Sequence, residues 1–401
     1  MSETFFVNII IMLISALALG EVFKRLKLPA LVGHLLAGVI IGPSLLNIVQ
    51  PDESLETIVN LSIFFLMFLA GLELHPEEIR RAGKNAIILS VLAFIIPFAS
   101  GVAVSDFLGL SMLASLFIGL TLAITAVPVS AVVLMEFGLL KSKMGSTIMT
   151  AGIVDDILSL ITLAIIIQLA QNGEDLEFGE LGFSMFKIVA FLGGIFLFIF
   201  ILKKTKHWLP HKFSPLFAKL QTREAGFGIL LISAFGLSLI AEGVGLHFVI
   251  GTFFAGLIVY KEIIGKENFE RVNSVFSAIT FGLLSPIFFA FIGIEFYAQS
   301  IVDSLPLFMI LLAVAVAGKI GGGFIGGKIA GFSNSESTVI GYLVNSRGMV
   351  ELVIATIGFE LGIIDKTLFT VIVAVGFITT IMSPIMARMA LRRNVESQTK
   401  Q

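Results

Sequence analysis

Two adjacent aspartates, Asp155 and Asp156, lie inside an apolar stretch that is long enough to cross a bilayer. Asp155 follows Lys143 by 12 residues, which places it roughly 18 Å along a helix, near the middle of a hydrocarbon core of about 30 Å. A carboxylate at that depth costs on the order of 2.5–3.5 kcal/mol to insert. Cation binding and proton transport are the functions that most often account for this cost. The alternative is a structural acid pair buried against a basic partner.

The composition indicates a polytopic membrane protein. The 401 residues are 57% hydrophobic and 13% charged, and the mean hydropathy of +1.04 is far above the soluble range. The 39 glycines suit closely packed helices, and the absence of cysteine excludes disulfides and thiolate metal sites. The first apolar stretch, 5–19, lacks a basic start and is followed by KRLK, so we expect a retained span and not a cleaved signal.

Hydropathy predicts an all-α polytopic fold with thirteen membrane spans. Their approximate ranges are 4–22, 29–47, 57–73, 84–105, 111–136, 144–170, 185–203, 224–242, 246–260, 275–298, 304–328, 337–361 and 367–389. A polar loop is expected between spans 7 and 8.

The distribution of positive charge predicts the orientation. One alternating set of loops holds only Lys187 and Lys366, and Lys319 and Arg347 lie inside spans. All other Lys and Arg residues fall in the second set of loops or in the C-terminal tail. The positive-inside rule therefore predicts that the N-terminus is outside and the C-terminus is cytoplasmic.

An odd number of spans is compatible with two inverted repeats, spans 1–6 and spans 8–13, linked by span 7. Span 5 is interrupted by TAVPVS, and its counterpart, span 12, is interrupted by NSRGMVE. Span 6 carries the acid pair and span 11, its counterpart, carries Lys319. Paired interruptions in two repeats indicate a binding site near the midplane of the membrane.

Pro128 interrupts span 5, because proline lacks a backbone N–H and its ring crowds the carbonyl of Ile124. Thr125 and Ser130 flank this break. Hydroxyls and freed carbonyls suit a hard cation such as Na⁺. The alternative is a simple proline kink, which is common in membrane helices. The neighbouring acid pair favours the cation-binding interpretation.

Basic residues lie deep in the second repeat. Lys319 sits near mid-depth among glycines and needs a partner, and the acids of span 6 have matching depth. Such a pair could be purely structural, or it could break when a cation arrives. Arg347 and Glu351 share one face of span 12 and can pair. With Asn345 at the same break, we interpret Arg347 as a charge that offsets backbone dipoles and acids, and not as a direct cation ligand.

The remaining titratable residues fit solvated helix ends, local hydrogen-bond partners or, for the histidine of span 2, a satisfied interior side chain. They are Glu73, Glu242, His247, Glu295 and His34. The sequence contains no P-loop, dinucleotide fingerprint, nucleophile elbow or zinc motif. We therefore expect no enzymatic activity, no cofactor and no nucleic-acid partner.

The joint pattern resembles the cation:proton antiporter-2 family, which includes bacterial and archaeal sodium/proton antiporters and potassium-efflux antiporters. The resemblance covers essentially the whole chain, although each motif alone is weak. The matching segments are FLAGLEL (68–74), TAVPVSAVVLMEFGLL (125–140), AGIVDDILSL (151–160), GLHFVIGTFFAGL (245–257) and SRGMVEL (346–352).

The resemblance implies the sodium/proton antiporter fold, with crossed discontinuous helices, and a homodimer. It implies that Asp156 binds the cation and carries the proton and that Asp155 pairs with Lys319. An acid pair with its lysine resembles the electrogenic type. The implied division is a dimerising scaffold of 1–82 and 224–298, a mobile transport core of 83–170 and 303–391, and a linker helix of 185–203.

The chain departs from potassium-efflux members in two ways. Many of those members carry a cytosolic nucleotide-binding domain, whereas only a short polar tail follows span 13 here. Many also have a different residue beside the transport aspartate. Both differences favour Na⁺ over K⁺, and we expect no gating by a built-in nucleotide domain.

The functional hypothesis is a secondary antiporter of the cell membrane that exchanges cytoplasmic Na⁺, or Li⁺, for external protons. Both ions compete for Asp156, and the core moves against the scaffold to alternate access. Its expected partners are these ions, membrane lipids and a second copy of the chain. K⁺/H⁺ exchange through the same residues is the alternative. A cation-gated channel would need a selectivity-filter loop, which the sequence lacks, and an organic-anion symporter would need a larger cavity.

Overall fold

The computed structural model describes residues 3–73, 83–172, parts of 186–201, 225–259 and 266–399. The described chain is helical, with a π-helical turn at Thr280–Leu284. The α-helices are α1 Glu3–Arg25, α2 Ala30–Ile41, α3 Glu53–Glu73, α4 Gly83–Phe107, α5 Met112–Ala123, α6 Val127–Glu136, α7 Lys143–Asn172, α8 Ala225–Gly243, α9 Phe248–Ile258, α10 Lys266–Ile279, α11 Ser285–Glu295, α12 Ala298–Asp303, α13 Leu305–Ile329, α14 Asn334–Val344, α15 Met349–Glu360 and α16 Lys366–Thr399.

Within these described ranges, nine helical segments are long and apolar enough to cross a membrane. The bent pair of α14 and α15 makes a tenth, and α2 and α9 are shorter apolar helices. Twelve of the thirteen predicted spans coincide with described helices, although several ends differ. Predicted span 7, at 185–203, is described only in part, so the count of thirteen stays a prediction. Predicted span 2 extends to residue 47, whereas α2 ends at Ile41, and α16 continues to Thr399 beyond predicted span 13. The predicted loop after span 7 lies outside the described residues.

Both predicted interruptions are present. Between α5 and α6, Ile124 and Ala126 adopt extended backbone conformations. Pro128 lies in the first turn of α6, where its missing N–H breaks no helical hydrogen bond, so the proline starts a helix here. Between α14 and α15 the chain bends by 44°. The sequence therefore located both breaks correctly.

Glycines bring α13 close to two neighbouring helices. A methyl group at Gly322 would lie 2.7 Å from the carbonyl oxygen of Leu92 in α4, and one at Gly318 would lie 3.0 Å from Pro97 in the same helix. On the adjoining face, a methyl group at Gly323 would lie 2.8 Å from the Cα atom of Gly341 in α14. Small residues at this spacing allow backbones to touch, and they fix the position of Lys319 between the two contacts.

The chain divides into two compact units. The first consists of Met1–Leu55, Glu77–Leu163 and Phe289–Gln401, and it contains both helix breaks and Lys319. The second consists of Glu56–Pro76 and Ala164–Phe288, and its core is rich in aromatic rings. The predicted scaffold and transport core are defined by which helices move together. Compactness in one conformation does not measure such motion. That division stays a prediction.

Candidate functional site

The two aspartates lie on α7, next to the break between α5 and α6. Asp155 is 2% exposed and Asp156 is 8% exposed, so both residues are buried. Successive residues on a helix are turned by about 100°. The two side chains therefore leave α7 in different directions, and they can have different neighbours.

Asp155 faces the only lysine buried within the described residues. Its Oδ2 atom lies 3.6 Å from Nζ of Lys319, and neither side chain exposes more than 3%. The hydroxyl and the backbone N–H of Thr125 also approach this carboxylate. Asp155 thus joins α7 to α13 and to the break that follows α5, and it has the partner that the family resemblance implied.

Three successive carbonyls at the C-terminal end of α5 accept hydrogen bonds from buried cations. Nζ of Lys319 donates to the Ala123 oxygen. The guanidinium of Arg347 donates to the Thr121 oxygen through Nη1 and, at 2.9 Å, to the Leu122 oxygen through Nη2. These carbonyls have no helical partner because the helix stops, and positive charge is favourable at the negative end of a helix dipole.

Hydrogen bonds tie the two helix breaks to each other. The Ala126 N–H donates to the Ser346 oxygen at 2.8 Å, and the Ser346 hydroxyl lies 3.0 Å from the Ala126 oxygen. The Ser130 hydroxyl donates to the Leu343 oxygen at 2.7 Å. A methyl group at Gly348 would lie 2.7 Å from Cβ of Ala126. The interruptions therefore cross in contact, as paired breaks in two repeats predict.

Arg347 and Glu351 form the predicted ion pair, but Arg347 lies in the break before the N-cap residue Gly348 and does not share a helix face with Glu351. Nη1 of Arg347 lies 3.2 Å from Oε1 of Glu351, and both side chains are fully buried. The carboxylate of Glu351 packs against Gly376 of α16, where a methyl group would lie 3.0 Å from Oε2. The Thr380 hydroxyl donates to the Arg347 oxygen at 2.7 Å. Arg347 therefore connects α15, α16 and the end of α5.

Other predicted residues occupy varied positions. Asn345 is fully buried, and neither amide atom has a hydrogen-bond partner among the described residues. Glu295 forms a 3.4 Å ion pair with Lys366 at the start of α16, so its partner comes from a distant helix and is not the local one expected. His34 packs against Gly20 of α1, and His247 precedes α9 as its N-cap residue. Glu73 ends α3, and Glu242 lies in the last turn of α8.

Sequence reasoning missed the carbonyls of Thr121, Leu122 and Ala123. No side-chain pattern marks them, because every residue carries a carbonyl. The one available signal was the position of the predicted break, since a helix that stops inside a membrane leaves unpaired carbonyls that need donors.

The arrangement suits reversible binding of one monovalent charge. Lys319 offsets one of two adjacent carboxylates, and a cation or a proton at Asp156 would neutralise the other. The site can then hold either ion deep in the bilayer without leaving an uncompensated charge, which would be costly there. Thr125 supplies oxygen atoms beside the acid pair, and oxygen is the donor that hard cations prefer.

Comparisons with known proteins agree with this chemistry. The sequence profile of the family described as "Sodium/hydrogen exchanger, transmembrane" matches residues 9–393. The chain is 32% identical over 388 residues to the Probable Na(+)/H(+) antiporter 3 of Methanocaldococcus jannaschii, and the match covers 96% of each chain. It is 30% identical to the Na(+)/H(+)-K(+) antiporter GerN of Bacillus cereus over 97% of this chain and 96% of that one.

A solved structure shares the fold. The sodium proton antiporter MjNhaP1 of Methanocaldococcus jannaschii superposes with a TM-score of 0.71 at 19% identity, covering 95% of this chain and 96% of that one. The helix topology is therefore common to both, although this identity alone carries no statement about function. With the family profile spanning nearly the whole sequence, the chain belongs to the sodium/hydrogen exchanger family of multi-pass membrane antiporters.

Proposed function

We propose that this protein exchanges cytoplasmic Na⁺, or Li⁺, for external protons at Asp156, by alternating access of a mobile core. The observation that carries the proposal is the buried acid pair beside two crossed helix breaks, with Lys319 placed 3.6 Å from Asp155. Relatives named Na⁺/H⁺ antiporters support the choice of Na⁺.

In this proposal, Asp156 holds the cation or the proton, and Thr125 and Asp155 complete its surroundings. Ser130 contributes from the first turns of α6, although its hydroxyl proton is donated to Leu343 in this conformation. A hydroxyl oxygen that donates one hydrogen bond retains lone pairs for a cation. Na⁺ is the transported substrate and not a resident cofactor.

Coupling follows from competition for one carboxylate. When Asp156 is protonated it has no negative charge for Na⁺, and when it holds Na⁺ it has no free charge for a proton. Return of the empty, charged carboxylate is disfavoured by the cost of moving an uncompensated charge in the bilayer. Lys319, Arg347 and Glu351 support this site by pairing charges and binding the end of α5. Pro128 and Asn345 belong to the breaks that shape it.

An elevator motion needs two rigid bodies, and glycine packing supports their predicted membership. In the scaffold, Gly293 of α11 packs against the Leu35 backbone of α2. In the core, Gly322 packs on α4 and Gly323 packs on α14. Among the described glycines, each backbone contact that a methyl group would block joins helices of the same predicted body. Such contacts resist sliding, because backbones that touch cannot pass without separating.

The proposal retains thirteen spans, with the N-terminus outside and the C-terminus in the cytoplasm. The short helices α2 and α9 and the helical residues within 186–201 supply the spans beyond the ten candidates. We place the protein in the cell membrane as a homodimer formed by the scaffold. Bound lipids are expected at its membrane-facing helices.

Exchange is expected to be electrogenic. When Lys319 releases Asp155, this buried pair offers a proton carrier in addition to Asp156. K⁺/H⁺ exchange through the same site is the alternative. The name of the Bacillus cereus relative, a Na(+)/H(+)-K(+) antiporter, supports keeping K⁺ as a second candidate.

The test uses purified protein in liposomes with an acidic interior and a trapped pH dye. Na⁺, Li⁺ or K⁺ is added outside in parallel, and alkalinisation is followed at clamped membrane potentials. Recovery with Na⁺ and Li⁺ that changes with potential supports the proposal. Alkalinisation with K⁺ alone favours the K⁺/H⁺ alternative. If none of the three cations causes alkalinisation, antiport is contradicted.

A further inference from the structure

A side-chain contact at Arg388 joins the predicted core to the predicted scaffold. Arg388 of α16 reaches out of the core at one end of the bundle. Both Nη atoms lie 3.3 Å from the backbone oxygen of Lys27, which belongs to the scaffold turn between α1 and α2. Nε of Arg388 donates to Glu136 at 2.9 Å, and Glu136 lies in the core. One guanidinium thus bridges the two predicted bodies while it is anchored within its own.

The turn presents its carbonyl in a way that suits this contact. Lys27 has a φ of 59°, in the left-handed region that non-glycine residues rarely adopt. The turn is closed by hydrogen bonds from Lys27 N–H to the Lys24 oxygen and from Leu28 N–H to the Phe23 oxygen. The Lys27 oxygen accepts from Arg388, so the side chain of Lys27 is not needed for the contact.

The opposite end of α16 makes contacts of the same kind. Nζ of Lys366 lies 3.4 Å from Oε2 of Glu295 in the scaffold, and the Tyr297 N–H donates to the Thr370 hydroxyl at 3.3 Å. Thr370 and Arg388 are separated by about 27 Å along the helix at 1.5 Å per residue. The helix is therefore joined to the predicted scaffold at two separate levels by side-chain contacts that can separate without rebuilding a backbone interface.

We propose that Arg388 is a latch that holds the core in the conformation described here and releases the Lys27 carbonyl each time the core moves. The latch rests on the elevator motion of the proposed function. A core that slides along the scaffold cannot keep both the 3.3 Å contact at Lys27 and the 3.4 Å ion pair at Glu295. The exposed Glu136 retains Arg388 after release, so the guanidinium stays charged and paired during the movement.

The chain contains no cysteine, so pairs of cysteines can be introduced without removing any. The test pair is Lys27→Cys with Arg388→Cys, which joins the two bodies. The matched control is Glu136→Cys with Arg388→Cys, which joins two residues of the core. Each pair is reconstituted in liposomes and treated with a short, reducible bis-thiol cross-linker. Na⁺-driven proton movement is measured before treatment, after treatment and after reduction, and mass spectrometry measures the cross-linked fraction.

Cross-linking of Lys27→Cys to Arg388→Cys is expected to abolish exchange in the cross-linked fraction, and reduction restores it. The control pair keeps its rate when cross-linked. A second pair, Glu295→Cys with Lys366→Cys, gives the same loss at the other end of α16 and replaces the first pair if that variant fails to fold. Exchange that survives full cross-linking of a pair between the bodies overturns the latch and the sliding motion on which it rests, and leaves antiport at Asp156 standing. Wild-type protein that exchanges no cation contradicts the proposed function itself.

Discussion

Lys319 and Asp155 form a buried ion pair beside the break between α5 and α6, with 3.6 Å between Nζ and Oδ2. The same ammonium donates to the carbonyl of Ala123 at the end of α5. Lys319 therefore has a second partner that remains if the ion pair opens. When the ion pair opens, the buried lysine therefore keeps one partner. Without the Ala123 carbonyl it would lose all its partners at once.

Removing one member of this pair is expected to cost more stability than removing both. Asp155→Asn or Lys319→Met leaves a buried charge without its partner, and such changes cost about 3–5 kcal/mol. The double variant Asp155→Asn/Lys319→Met carries no unpaired charge and recovers most of the loss. Thermal unfolding of the four proteins in detergent measures this coupling. Additive losses in the double variant would show that the two groups do not stabilise each other.

Arg347→Lys is expected to destabilise the fold although it keeps the charge. One ammonium cannot reach the Thr121 and Leu122 carbonyls and Glu351 together, so at least one buried group loses its hydrogen bond at a cost of about 1–3 kcal/mol. Arg392→Lys, on an exposed part of α16, is the control and should change stability by less than about 0.5 kcal/mol. Equal melting temperatures for both variants would contradict the role given to the guanidinium.

Two neighbouring glycines of α13 offer a matched comparison. A methyl group at Gly322 meets the Leu92 oxygen at 2.7 Å, whereas one at Gly321 meets nothing within 4 Å. Gly322→Ala should push α13 from α4, displace Lys319 and cost about 1–3 kcal/mol through overpacking. Gly321→Ala should be neutral or stabilising, because alanine favours helix by about 1 kcal/mol. Unfolding temperature and exchange rate are measured for both, and a harmless Gly322→Ala would refute the packing argument.

Competition for Asp156 predicts how the cation requirement varies with pH. As the pH falls on the side from which Na⁺ enters, protons occupy the carboxyl more often, so the apparent KM for Na⁺ rises, approaching about tenfold per pH unit. The maximal rate at saturating Na⁺ stays unchanged, because excess cation displaces the proton. A maximal rate that falls while KM stays constant would indicate that the ions bind at separate groups.

The sequence predicted the parts of the site that depend on side-chain type and spacing. Pro128 and the NSRGMVE segment located the two breaks, the depth of Lys319 required an acid at the level of Asp155, and the four-residue interval from Arg347 to Glu351 predicted their ion pair. Each of these features depends on residue spacing or on depth in the bilayer. Both can be counted along the sequence.

Contacts that depend on backbone atoms could not be predicted. The carbonyls that bind Lys319 and Arg347, and the Lys27 oxygen that binds Arg388, have no distinct residue type. The sequence predicts that Ser130 faces the cation, whereas the described hydrogen bond directs its hydroxyl proton to Leu343 of α14. Such details depend on how two breaks cross, which requires coordinates of both repeats.

The central claim is that Asp156 carries both the cation and the proton, and the most direct test compares Asp156→Asn with Asp106→Asn in liposomes. Asp106 is an exposed aspartate near the end of α4, so it controls for the loss of a carboxylate. Na⁺-driven proton movement is recorded for both variants, with thermal unfolding as a check that each is folded. The account predicts no exchange by folded Asp156→Asn and a normal rate for Asp106→Asn. Exchange at the wild-type rate by Asp156→Asn would contradict it.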